Sequence, residues 1–217
     1  MARPRHTLLT RQRIVEAAAA LADAEGLDAV SVRRLATELG VAGPSLYHHF
    51  ATKADILDAV ADAVVAQVDV SAFAALPWPE ALRVWAHSYH AVLAAHPNIV
   101  PVLAHGPGRR PAALAMADTV YGALTDAGWS PAKATHIGAL MRYLVTGSAL
   151  GSFALGFTDD PQLYENYPHL RRAHLLAGHH TCVDEGAFGL GLDLMIAGLE
   201  RKHEAHQQRS VSHDVAR

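Results

Sequence analysis

Ser31–Lys53, SVRRLATELGVAGPSLYHHFATK, is the stretch whose reading decides the fold. It describes two short helices held at an angle. Ser31 can accept a hydrogen bond from the first turn and so cap the first helix, whose apolar residues Leu35, Ala36 and Leu39 recur at helical spacing. Gly40 ends that helix by supplying the left-handed residue a tight exit needs, and Val41 can plug the angle that follows. Pro44 falls in the first turn of the second helix, where a missing N–H costs nothing, and Leu46 and Phe50 face inward. Gly43, Ser45, Tyr47, His48 and His49 are left for the outer face. Small, hydrogen-bonding and aromatic side chains beside a short turn suit a helix that lies in a DNA major groove. A glycine turn also joins ordinary bundle helices, so the stretch alone leaves that second reading open.

The flanks extend the pattern. From Thr10 a helix can begin with Ile14, Ala17, Ala18, Leu21 and Ala24 on one face, stopped by Gly26. After Phe50, Thr52 and Asp55 form a capping pair for a helix carrying Ile56, Leu57, Val60, Val64 and Val68. The order of glycines and caps, with LATELGVAGPSLYHHF followed by Thr52 and Lys53, resembles the N-terminal domain of TetR family transcriptional regulators over roughly Thr10 to Val68. The resemblance implies a DNA-binding domain whose second motif helix enters the major groove. At matching positions it makes Arg33, with its forked guanidinium, the candidate for guanine O6 and N7. Pro44 and Ser45 would meet base edges or thymine methyls, and Gly43 would allow close approach. Arg34, Tyr47, His48, His49 and Lys53 complete the expected DNA-contacting set, mainly as phosphate partners. His48 departs from the bulkier aromatic of some relatives, which leaves the operator sequence open.

The chain has 217 residues, enough for one domain or two small ones, and 51% of them are apolar, which argues against wholesale disorder. Its net charge of -3 offers no global attraction to nucleic acid, so a DNA-binding face must be a local patch. Arg3, Arg5, Arg11, Arg13, Arg33, Arg34 and Lys53 gather near the motif; for Arg3 and Arg5 a merely solvated arm is an equal reading. One cysteine, Cys182, excludes an internal disulfide framework and, with no apolar signal region at the N-terminus, points to the cytoplasm. The apolar run Ile137–Phe157 contains Arg142 and several glycines and serines, so a buried helix is expected there and not a membrane span.

The remainder reads as helix throughout, with no strand-like alternation. Ser71–Pro79 interrupts the pattern and marks a domain boundary. Helices are expected from Glu80 to Ala95, from Pro111 to Ala127, after the capping pair Ser130-Pro131, and from about Asp184, with GPGRRP and a polar loop over 158–180 between them. The expected class is all-α: a three-helix helix-turn-helix DNA-binding domain and a larger helical ligand-binding and dimerisation domain. The boundaries are 1–9 for a flexible basic arm, 10–70 for the DNA-binding domain, 71–202 for the regulatory domain and 203–217 for a frayed tail.

The resemblance extends to the end of the chain, where DEGAFGLGLDLMIAGLER looks like the close of a TetR regulatory domain, whose last two helices form a four-helix homodimer interface. It implies a palindromic operator, a repressor and a small-molecule effector held in the second domain. Candidate effector contacts are Trp85, Tyr89, His105, Met116, Met141 and Tyr143, although each such residue is more often plain core than a ligand contact. The tetracycline repressor grips a drug-bound magnesium partly through a histidine near the end of its fourth helix. Here that place reads Gln67-Val68-Asp69, which points away from tetracycline. His169, His174, His179 and His180 crowd one loop, yet no carboxylate or cysteine pattern at ligand spacing joins them, and no cofactor or metal is expected. The rival classes are a helical enzyme, for which Cys182 beside His179 and His180 is the sole hint, and a metal-binding or adaptor protein with no DNA role. No catalytic fingerprint is present.

Overall fold

The computed structural model describes residues 8–103 and 108–215, with side chains described as far as Gln208. Arg3, Arg5 and His105 lie outside these residues. No strand occurs among the described residues. The helices are α1 (Arg11–Glu25), α2 (Val32–Leu39), α3 (Gly43–Tyr47), α4 (Lys53–Val65), α5 (Trp78–Ala95), α6 (Pro111–Asp126), α7 (Pro131–Ala149) and α8 (His180–Val215).

The chain forms two compact units. One gathers the residues up to Val68 together with Val92–Ala115; the other holds Asp69–Ala91 and the residues from Met116 onward. In the first unit α1 packs across α2 and α4, and α3 leans on α2. Their shared core is Ile14, Ala18, Leu21, Val30, Leu35, Leu46, Phe50, Ile56 and Val60, all buried. The local punctuation explains the boundaries. Thr10 caps α1, Ser31 caps α2 by accepting from the Arg34 N–H at 3.2 Å, and Thr52 and Asp55 form a reciprocal capping box on α4.

The sequence boundary at Ser71–Pro79 describes only part of the division, because the first unit also takes back Val92–Ala115. Side chains over that return stretch are held by the first unit's own polar groups. Asn98 donates to the Ala22 carbonyl at 2.9 Å, His96 Nδ1 lies 2.8 Å from Asp23, and Asp62 accepts from the Ala112 and Ala113 N–H groups at 2.9 and 3.2 Å. None of these pairings is local in sequence.

In the second unit α7 packs against α8, and a series of short 3-10 turns occupies 154–179 in place of the expected open loop. Ala154, Tyr164 and Ala173 bury there, and the Tyr164 hydroxyl receives the Thr158 N–H at 3.0 Å. The last helix begins at His180, earlier than expected, and does not fray at 203 but continues to Val215. The polar run from Glu200 lacks an apolar stripe yet is rich in strong helix formers. His203 also anchors it, with Nε2 at 2.8 Å from the Ala127 carbonyl and its ring against Trp129 and Trp78 at 4.9 and 5.6 Å.

Candidate nucleic-acid interface

The exit from α2 is a left-handed glycine. Gly40 adopts φ 66°, ψ 35°, and the Val41 N–H reaches back to the Ala36 carbonyl at 2.9 Å, which closes the helix and turns the chain sharply. Two residues later α3 starts with Pro44 in its first turn and no side-chain cap. The helix is only five residues long and is held from beneath by Leu46 and Phe50, 1% and 3% exposed. With those two as feet, the opposite side of α3 has nowhere to go but outward. Pro44, Tyr47 and His48 are exposed, Tyr47 to 57%, while Gly43, Ser45 and His49 are half-covered.

Arg11 holds the far end of α3. Its guanidinium sits 4.0 Å from the Phe50 ring centroid and donates to the His49 carbonyl. This contact spans 38 residues, and nothing local in either segment signals it. The other cations divide. Arg33 is exposed, on the first turn of α2. Arg34 is engaged with Glu25 at 2.7 Å, a pair in which both side chains remain half exposed. Lys53 turns inward, its Nζ donating to the Leu27 carbonyl at 2.8 Å in a partly buried setting. The expected DNA-contacting set is thus brought together on one unit but is not uniform. Arg33, Pro44, Tyr47 and His48 face solvent, Arg34 has an intramolecular partner, and Lys53 ties α4 to the loop after α1.

Gly43 carries a further clue. A Cβ built there would meet nothing within 4 Å, and its φ is not positive. Neither packing nor backbone in its own unit requires a glycine at that position.

Residues 14–60 match the family model for "bacterial regulatory proteins, tetR family", and residues 76–203 match the "tetracyclin repressor-like, C-terminal domain". The second match alone spans more than half of the chain. The chain is a member of the TetR family. A tetracycline repressor protein of class C from Escherichia coli is 30% identical over 207 residues, covering 89% of this chain and 91% of the repressor. An HTH-type transcriptional regulator from Saccharopolyspora erythraea is 36% identical over 141 residues, 65% of this chain, which spans 60% of that regulator's length. The crystal structure of the TetR family protein ActR from Streptomyces coelicolor in complex with (S)-DNPA superposes with a TM-score of 0.76 at 30% identity, covering 90% of this chain and 99% of ActR. As a TetR-family member the chain is a DNA-binding transcriptional regulator, with the all-α, two-part organisation of that family.

The candidate effector contacts fall in the second unit, His105 aside. Trp85, Tyr89 and Met141 are buried, Met116 is half-buried, and Trp85 packs against Tyr89 with ring centroids 5.8 Å apart. The Trp85 Nε1–H is buried without an acceptor. Tyr143 stands apart, 67% exposed on α7. Among the described residues no three His, Cys, Asp or Glu side chains are grouped to hold a metal ion, and no helix is long and apolar enough to cross a membrane.

Proposed function

We propose that this TetR-family regulator is a cytoplasmic repressor that binds a palindromic operator as a homodimer and is released by a small molecule. The observation that carries the reading is the outward face of α3, with Leu46 and Phe50 buried beneath it and Pro44, Tyr47 and His48 free above. Arg33 reads a guanine, Ser45 and Pro44 meet base edges, and Tyr47, His48 and His49 hold phosphates. Gly43 lets the duplex approach the backbone, which supplies the reason for a glycine that its own unit does not need. Arg34 joins by exchanging Glu25 for phosphate, an exchange that costs little at an exposed pair. Lys53 acts from behind, as the tie that sets α4.

Two copies related by a two-fold axis present two such faces to half-sites about 34–36 Å apart, or a multiple of that spacing. The surface for pairing is on α7 and α8, where Leu140, Tyr143, Leu190 and Leu194 are all exposed. Tyr143 belongs to this surface and not to the effector contacts. The effector occupies the region of Trp85, Tyr89, Met116 and Met141. Its chemistry is a ligand with an acceptor for the buried Trp85 N–H and an apolar body for the rest. ActR and a TetR variant from Acinetobacter baumannii have been crystallised with (S)-DNPA and minocycline respectively, which supports an organic effector here.

Selection of bound duplexes from a random pool, followed by anisotropy titration of the enriched sequence, tests this reading. An inverted repeat is expected. A pool that shows no enrichment would remove the operator claim.

A further inference from the structure

Arg11 is the first residue of α1 and is exposed, and its side chain crosses to the end of α3. The guanidinium lies 4.0 Å from the centroid of the Phe50 ring and donates to the His49 carbonyl. One cation thereby meets both residues that follow His48, the C-cap of α3. Neither partner is a carboxylate, so the contact depends on the plane and the fork of the guanidinium, which a lysine lacks. α1 itself does not need this contact. Thr10 caps its first turn by accepting from the Arg13 N–H, and its own buried residues are Ile14, Ala18, Leu21 and Ala22. α3 is the helix that gains. It has five residues and no side-chain cap, well below the roughly 12–15 residues at which a helix holds itself in water, so its direction is set by its contacts. Leu46 and Phe50 hold it from beneath, and Arg11 holds the chain where it leaves.

We propose that Arg11 is a positioning residue for sequence reading: from α1 it fixes the direction of α3, and so places Pro44 and Ser45 at the base edges, in place of binding a phosphate itself. The role rests on α3 being the operator-reading helix. Hydrogen bonds to base edges weaken steeply once the donor angle falls below about 120°, whereas phosphate attracts any nearby cation. A loosened α3 therefore loses discrimination between sequences before it loses attraction to DNA.

Anisotropy titrations of the full chain with the selected operator and with an unrelated duplex, each over a series of salt concentrations, test the proposal in the parent, R11A and R11K proteins. Thermal melts and amide hydrogen exchange of the free proteins accompany them. In R11A the preference for operator over the unrelated duplex should fall roughly tenfold. The slope of log affinity against log salt and the thermal midpoint should stay close to the parent's. The His49 and Phe50 amides, which both donate to the Leu46 carbonyl, should exchange faster. R11K should resemble R11A. A slope shallower by about 0.9 with the preference retained would make Arg11 a phosphate contact and overturn the proposal. So would an R11K protein that recovers the parent's preference, because a point charge would then suffice, and so would unchanged exchange at His49 and Phe50 in R11A. A parent that prefers no duplex sinks the operator reading, and the role of Arg11 falls with it. A parent whose preference R11A retains sinks the role of Arg11 alone.

Discussion

Gly43 separates what a residue does for its own chain from what it does for a partner. An alanine there meets no atom within 4 Å and needs no unusual φ, so Gly43→Ala should leave the thermal midpoint unchanged or slightly raised, since alanine is the better helix former. Its methyl group would instead stand between α3 and the duplex. Operator affinity should fall, and a variant that binds the selected operator like the parent would show that the backbone of α3 does not come close to DNA. Arg33 is the complementary case. It is exposed, no fold role is assigned to it, and Arg33→Ala should cost about 1–3 kcal/mol of operator binding and relax one base position, with stability unaltered. Repeating the duplex selection with the variant checks this, and an unchanged consensus would reassign Arg33 to a phosphate or to solvent.

At the scale of elements, the polar ties between helices carry the consequences. The start of α6 has its cap supplied by another helix: the Asp62 carboxylate on α4 accepts from the Ala112 and Ala113 N–H groups, and Arg110, buried, stands 3.7 Å from Asp58 one turn earlier. Asp62→Ala should therefore lose about 1 kcal/mol, as an N-cap does, and Asp62→Asn should recover part of it. Urea midpoints of the three proteins decide the matter; equal midpoints would mean that water replaces the carboxylate at no cost. A second seam joins α5 to α8, where the His90 ring stacks on Phe188 at 4.1 Å and Arg83 pairs with Asp193. Burial holds the His90 imidazole below its ordinary value of 6.5, the neighbouring His87 adds to that shift, and Glu185 opposes it. With the folded-state value lowered, the unfolded chain binds more protons as the pH falls through and below about 6.5. The neutral stacked ring thus contributes stability in full above that pH, and loses it on acidification. His90→Asn should flatten the change in melting temperature between pH ~7 and ~5, and parallel curves for the two proteins would show that His90 is not the group responsible.

The whole molecule raises the question of the unpartnered surface. Leu140 and Tyr143 on α7, with Leu190 and Leu194 on α8, put large apolar side chains in water on two helices that pack together. Soluble monomers rarely leave such residues open together, and in the proposed homodimer a two-fold copy covers them with its own equivalents. L190D/L194D should yield a monomer by light scattering and lose most operator affinity, because two half-sites are then no longer bound as one. A double variant that stays dimeric would move the interface elsewhere. The TetR-family assignment of the chain does not depend on that outcome, since it rests on matches over residues 14–60 and 76–203.

Signals with a reach of about one helical turn were readable along the chain: Ser31 with Arg34, the left-handed Gly40, the Thr52–Asp55 box, and Ser130 before Pro131. Caps and glycine exits are settled between near neighbours, which is why the all-α class and the helix-turn-helix could be stated from residue order alone. Which cations stay free for DNA could not. Lys53 and Arg34 look alike in sequence to Arg33, yet one finds the Leu27 carbonyl and the other Glu25, partners that only the packing of α1 brings within reach. The return of Val92–Ala115 to the first unit, and the continuation of α8 past His203 onto Trp129 and Trp78, have the same origin. Sequence sets the local conformation of each helix, and tertiary structure decides which polar group each long side chain meets, because those partners lie beyond one helical turn, nine residues away for Arg34 and 26 for Lys53, and are chosen by packing.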